Sequence, residues 1–127
     1  MSIEYIEGDI LKAKTQVVVN TVNCEGVMGK GLALQFKKNF PDMFAEYKKK
    51  CKEGKISIGK LDLYKSPFRY WILNFPTKDR WRKPSKLEYI EKGLAEFANK
   101  YQEWGIASIA FPKLGCQQGG LHWVDVK

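Results

Sequence analysis

Residues 16–22 read Gln-Val-Val-Val-Asn-Thr-Val, a nearly unbroken run of β-branched side chains. A strand with no polar alternation has no face to offer to water, so it fits the middle of a sheet that is covered on both faces. The rest of the chain agrees with that reading. Residues 2–7 form a short candidate strand ending at Gly8. Leu32, Leu34, Phe36 and Phe40 begin a helical stretch, and Pro41 interrupts it and suits the first turn of a second helix. There Met43, Phe44, Tyr47 and Cys51 fall at helical spacing. Lys48, Lys49, Lys50 and Lys52 complement the dipole at its end, and Gly54 stops it. Residues 60–64 alternate as a strand does, and 70–75 read as a second buried strand. Ser85 and Glu88 have capping-box spacing. Leu87, Ile90, Leu94, Phe97, Tyr101 and Trp104 then trace one face of a helix ending at Gly105, and residues 108–111 are the last clear strand. Strands alternate with helices at crossover length, which predicts an α/β domain with a mixed, largely parallel sheet.

The 127 residues fit one domain, with no internal repeat, linker or low-complexity tract. Cys24, Cys51 and Cys116 are odd in number and widely spaced, which predicts neither a disulfide framework nor a metal site, and favours a reducing, cytoplasmic setting. The first ten residues lack the pattern of a signal peptide, and no apolar run approaches the ~18 residues that span a bilayer, so no membrane partner is expected. The net charge of +8 favours a polyanionic partner, nucleic acid or pyrophosphate, although a lysine-rich solvated surface gives the same sum.

Four constellations carry chemistry. The first runs from Asn20 through Asn23 to Gly26, Gly29, Lys30 and Gly31, between a buried strand and a helix. Glycines there let the backbone approach a ligand, the helix start favours an anion, and the two asparagines suit sugar hydroxyls. The second, Gly115-Cys116-Gln117-Gln118-Gly119-Gly120, follows the last strand with the same logic. Two such loops predict a cleft that holds a diphosphate from both sides. The third is Asp9 beside Ile10 after the first strand, suited either to an adenine amino group or to capping a turn. The fourth is the loop at 76–83, where Arg80, Arg82 and Lys83 surround Trp81, a mixture suited to single-stranded nucleic acid or to a solvated loop over the core. His122, the only histidine, has no evident partner for a nucleophile scheme.

Residues 17–41, 73–85 and 109–123 resemble macrodomains, and within them the branch of DarG-type DNA ADP-ribosyl glycohydrolase antitoxins, related to the vertebrate terminal ADP-ribose glycohydrolase. The Met28-Gly29-Lys30-Gly31-Leu32-Ala33 and Asn74-Phe75-Pro76-Thr77-Lys78 segments carry the resemblance most specifically. The resemblance implies a three-layer α/β/α fold and no cofactor. It implies removal of ADP-ribose from modified thymidine in single-stranded DNA, with a cognate ADP-ribosyltransferase toxin as partner. It places Asp9 and Ile10 at the adenine. Asn23, Gly29, Lys30 and Gly31, with Asn20 at the base of the loop, fall at the distal ribose. Gly115 to Gly120 fall at the pyrophosphate, and Lys78 is the catalytic group. An aspartate of the vertebrate relative's second loop aligns with Gly119, so that assisting acid is absent. The chain stops at Lys127, where macrodomains usually continue through another helix and strand, so residues 1–127 are expected to be a single macrodomain without them.

Lys78 acts in this scheme either as a neutral amine that attacks the sugar or as an ammonium that assists the leaving base. Its basic neighbours lower its pKa and favour the first. Arg80, Trp81 and Arg82 guide the single strand. Three alternatives stay open from sequence: a reader that binds ADP-ribose without cleaving it, an ADP-ribose 1″-phosphate phosphatase, and a hydrolase of ADP-ribosyl-glutamate on proteins.

Overall fold

The structure is a computed structural model and describes residues 1–67 and 69–112. Among the described residues there are five strands: β1 (Ser2–Tyr5), β2 (Val17–Val22), β3 (Asp62–Tyr64), β4 (Trp71–Pro76) and β5 (Ser108–Phe111). Three helices join them: α1 (Gly31–Asn39), α2 (Pro41–Lys52) and α3 (Leu87–Lys100). The sheet order is β1-β5-β2-β4-β3. The β1–β5, β5–β2 and β2–β4 pairs are parallel, and β3 runs antiparallel on the β4 edge. The mixed, largely parallel sheet predicted from sequence is therefore present.

The β-branched run behaves as its composition requires. Val18 and Val22 face one way, into a cluster with Phe36, Met43 and Tyr47 from α1 and α2. Val17 and Val19 face the other way, into a cluster with Ile90 and Phe97 from α3. All three residues of the Val17–Val19 stretch are fully buried, so the sheet is the middle of three layers.

Local details depart from expectation in three places. Pro41 opens α2 as anticipated, but α3 starts one residue later than the capping box required. Lys86 takes the N-cap without a side-chain bond, and the Ser85 hydroxyl is buried with no partner. The start is set by Leu87 and Ile90 packing on the sheet, and Glu88 then falls in the first turn, out of capping register. The α3 helix ends at Lys100, and its last turns unwind through Tyr101–Trp104 to Gly105. A 3-10 turn over Ile10–Lys12, which no sequence pattern marked, follows β1.

One row of polar side chains crosses the apolar interior. Asn20, Asn74 and Asp62 stand opposite one another on β2, β4 and β3. Asn20 donates to Asn74 Oδ1 at 3.1 Å, Asn74 donates to Asp62 Oδ2 at 3.2 Å, and Lys50 of α2 pairs with Asp62 Oδ1 at 2.6 Å. The row ends on a lysine that reaches solvent, so the buried carboxylate is not left uncompensated.

Two expected outcomes follow from this packing. Asn74→Ala removes the partner of one Asn20 amide proton and of one oxygen of Asp62, and a urea titration is expected to show a loss of about 2–3 kcal/mol. Gly93 lies under the Phe75 ring, where an added methyl would collide with ring carbons. Gly93→Ala is expected to destabilise by about 1–3 kcal/mol, although alanine is the better helix former by about 1 kcal/mol. Combining it with Phe75→Leu is expected to recover part of that loss.

Candidate functional site

The parallel pairing of β2 and β4 does not stop where the strands stop. The Thr77 amide donates to the Val22 carbonyl at 2.9 Å, and the Cys24 amide donates to the Asp79 carbonyl at 3.1 Å. The segments after the two strands therefore leave the sheet side by side. Glu25 ties them once more: its carboxylate accepts from the Trp81 amide at 2.8 Å and lies 3.9 Å from the Arg80 guanidinium. Between the segments lies a cavity of about 250 Å³. Asn23, Val27, Met28, Gly29 and Lys30 form one wall, and Thr77, Lys78 and Trp81 form the other. Thr21 and Val22 of β2 and Ala33 of α1 complete it. This is the carboxyl end of the strands, where open α/β sheets bind ligands.

The first wall is held from within. Asn23 Oδ1 accepts from the amides of Glu25 (2.9 Å) and Val27 (3.4 Å), and its Nδ2 donates to the Val27 carbonyl at 2.8 Å. The hydroxyl of Tyr47, a fully buried residue of α2, lies 2.8 Å from the Asn23 carbonyl and 3.0 Å from Oδ1, and donates to that pair. Gly26 turns at φ +87°, a backbone conformation that residues with a side chain rarely adopt, while a Cβ there would meet Lys48 and Cys51 of α2 only at ordinary contact distances of 3.4–3.6 Å, so it is the turn that calls for glycine. The loop delivers the chain to α1, whose N-cap residue Lys30 makes no side-chain cap. The first amides of α1 thus have no side-chain acceptor from their cap, the arrangement that favours an anion at a helix start.

The electrostatics of the site follow from burial and from two amines. Burial, and then the charge of Lys30, holds the Lys78 amine below its ordinary lysine value. No carboxylate lines the cavity among the described residues. Burial, and then Asp79, pushes the Cys24 thiol up to about 12, so it is protonated at neutral pH and is no nucleophile. Among the described residues, no group of three or more His, Cys, Asp or Glu side chains is placed to hold a metal ion. No helix among them is long and apolar enough to cross a membrane.

Of the residues singled out from sequence, Asn23, Gly29, Lys30, Lys78 and Trp81 converge on this cavity. Gly31 begins α1 directly behind it. Asn20, placed at the base of the loop, is fully buried; its amide donates to Asn74 Oδ1 and, at 3.8 Å, to Met28 Sδ, beneath a wall residue and outside the cavity lining. Asp9 caps the 3-10 turn, accepting from the Leu11 amide at 3.0 Å, and the Ile10 side chain is 2% exposed and belongs to the core. Both follow β1, which β5 separates from β2. Arg80 faces Glu25, and Arg82 lies over the Trp81 ring. Gly115, Cys116, Gln117, Gln118, Gly119, Gly120 and His122 lie outside the described residues. Thr21, Met28 and Thr77 escaped the sequence reading as wall residues. The signal available was position: each sits at or just past the end of β2 or β4.

Comparison with known proteins agrees with this geometry. The Macro domain family matches residues 19–127. The DNA ADP-ribosyl glycohydrolase of Mycobacterium tuberculosis is 52% identical over 128 residues, which cover 98% of this chain and 36% of that protein. The chain thus spans about a third of the length of the curated relative it matches. Among solved structures, the macrodomain of Mycobacterium tuberculosis DarG superposes with a TM-score of 0.91 at 51% identity, covering 98% of this chain and 84% of that one. Thermosipho africanus DarTG in complex with ADP-ribose superposes with a TM-score of 0.91 at 38% identity, covering 98% and 36%. With a three-layer fold, a cavity at the carboxyl end of its sheet and a family match over most of its length, the chain belongs to the macrodomain family.

Proposed function

We propose that this macrodomain binds ADP-ribose and hydrolyses it from modified thymidine in single-stranded DNA, with Lys78 as the catalytic group. The observation that carries the reading is the placement of the Lys78 amine, held below its ordinary pKa, in a cavity whose opposite wall is the glycine-containing loop at 23–31. Two facts support it. A relative at 52% identity is a DNA ADP-ribosyl glycohydrolase, and a structure of similar fold holds ADP-ribose. In this reading the distal ribose lies between Asn23, Gly29 and Lys30 on one side and Lys78 on the other. The adenine goes to Asp9 and Ile10, and the pyrophosphate to the loop at Gly115–Gly120, on the strength of the family resemblance. The same resemblance supplies an ADP-ribosyltransferase partner that writes the mark. Arg80, Trp81 and Arg82 form the nucleic-acid side. The reduced thiols Cys24 and Cys51 suit a cytoplasmic setting.

The chemistry starts from a neutral amine, because only that form carries the lone pair. The Lys78 nitrogen forms a bond to the anomeric carbon of the distal ribose as the bond from that carbon to the base breaks. The base keeps the bonding pair and takes the proton that the amine sheds. Water then forms a bond to the same carbon, the carbon–lysine bond breaks, and a proton returns to the lysine. The Thr77 amide and the Asp79 carbonyl, which hydrogen bonds to the β2 segment fix on either side of Lys78, hold its backbone while this happens.

Lys78→Ala is expected to lower release of ADP-ribose from an ADP-ribosylated oligonucleotide by at least a hundredfold, on the order of what a lost covalent or acid–base group costs. ADP-ribose titrated into the same preparation in a calorimeter is expected to bind still. A variant that releases ADP-ribose at the wild-type rate would exclude the lysine mechanism. The pH profile is a separate check. A neutral-amine mechanism makes kcat rise with pH through the depressed pKa and level off above it. Lys30→Ala removes the like charge that helps depress it, so the rising limb is expected to move to higher pH. A limb that falls with rising pH would instead assign Lys78 the role of proton donor.

A further inference from the structure

We propose that Trp81 selects the leaving group: its indole forms the wall on which a planar nucleobase stacks as it separates from the distal ribose. This rests on the functional reading above and makes it specific for a base over an acyl leaving group. Trp81 and Lys78 line the same cavity from one segment, three residues apart. A group bonded to the carbon that Lys78 attacks is therefore brought against the ring.

The ring is free for that task. Trp81 is 39% exposed and packs in neither core cluster, so the fold makes no structural use of its face toward the cavity. It is also held in place. Its amide donates to Glu25 at 2.8 Å, which fixes it to the opposite wall, and the Arg82 guanidinium lies 4.5 Å from the ring centroid. Arg82 does not line the cavity, which fits a guanidinium covering the ring on the side away from it. A guanidinium on one side and a base on the other make a three-layer stack, in which cation and base each meet a π face. A glutamyl carboxylate as leaving group offers no such face and gains little from an indole. During hydrolysis the base leaves the anomeric carbon with the bonding pair and the proton shed by Lys78. The stack keeps it aligned while that bond lengthens.

The test uses a short single-stranded oligonucleotide carrying ADP-ribose on thymidine, with wild type, Trp81→Ala and Trp81→Phe. Trp81→Ala is expected to lose about tenfold or more in kcat/KM, the range of one lost base–aromatic stack. Trp81→Phe is expected to keep most of the wild-type value. Calorimetric Kd values for free ADP-ribose, which lacks the base, are expected to stay within about twofold for both variants, since the lost stack is with the base alone. Wild-type kcat/KM in Trp81→Ala overturns the proposal. So does a Trp81→Phe variant that falls as far as Trp81→Ala, and so does a parallel loss of ADP-ribose affinity, which would make the residue part of the nucleotide site. A wild-type protein that binds ADP-ribose but leaves the oligonucleotide intact overturns the functional reading itself, and the leaving-group role with it.

Discussion

The site depends on one backbone constraint, the parallel registration of β2 with β4 continued beyond both strands. In a parallel pair the two chains leave the sheet at the same end, so whatever follows them must share that space. Here Pro76 stands opposite Val22, and the next β4 amide that faces β2, that of Thr77, donates to the Val22 carbonyl just as the Trp71 amide donates to the Gln16 carbonyl at the start of the ladder. The Cys24–Asp79 bond then carries the registration one step further. Lys78 sits between these two bonds. Its position relative to Asn23 is thus set by main-chain hydrogen bonds that begin in a fully buried sheet, and not by a loose surface loop. That is the kind of rigid support a reacting amine needs, because small displacements of a catalytic group are costly.

A second device lies beneath the first. The Asn20–Asn74–Asp62 row places amides in a layer that is otherwise apolar, and two methionine sulfurs, Met28 and Met43, meet their donors. An apolar row of the same volume would be no less stable in principle, since buried polar groups contribute little net energy when satisfied. What the row adds is specificity. A one-residue slip between β2 and β4 would separate Asn20 from Asn74 and leave one Asn20 amide proton and the Asn74 Oδ1 without each other in the interior, which is costlier than sliding valine past leucine. The same slip would break the Thr77 and Cys24 bonds. The interior row and the cavity walls therefore report on one register, and Met28 touches both. Tyr47 does from the helix side what Met28 does from the sheet side, anchoring Asn23 to α2.

Much of this was legible in the sequence, for identifiable reasons. The Val17–Val19 run announces a central strand because its composition permits no exposed face. Pro41 and Gly54 bracket α2 because their backbones allow little else. The segment around Gly29 reads as a candidate ligand loop because its glycines follow a buried strand, whereas only the family resemblance of its segment singles out Lys78. What was not legible depends on distances through space. Nothing near Asn20 in the sequence announces its hydrogen-bond partner, Asn74, which is 54 residues away. Ser85 and Glu88 match a capping pattern, but packing of Leu87 and Ile90 chose a later helix start. Glu25 reads as an ordinary loop carboxylate until β4 brings Trp81 to it. Gly93 gives no sign of itself inside a helical pattern, because its reason is the Phe75 ring of another element.

The cavity poses an electrostatic conflict that its construction resolves. Lys30 and Lys78 both line it, with no carboxylate among the described wall residues to balance them. That excess attracts a diphosphate. The same excess shifts Lys78 toward its uncharged form, since Lys30 disfavours a second ammonium. A bound diphosphate would cancel part of this help by supplying negative charge, and so would push the Lys78 pKa back up when the amine is needed neutral. The larger cause of the depressed pKa is burial, however, and burial does not depend on the charge of Lys30. A ligand that fills the cavity removes more water from around the amine and strengthens that term as it weakens the other. The enclosure made by Glu25, Trp81 and the continued β2–β4 ladder thus favours the uncharged form of the amine in the same pocket whose excess charge favours an anion.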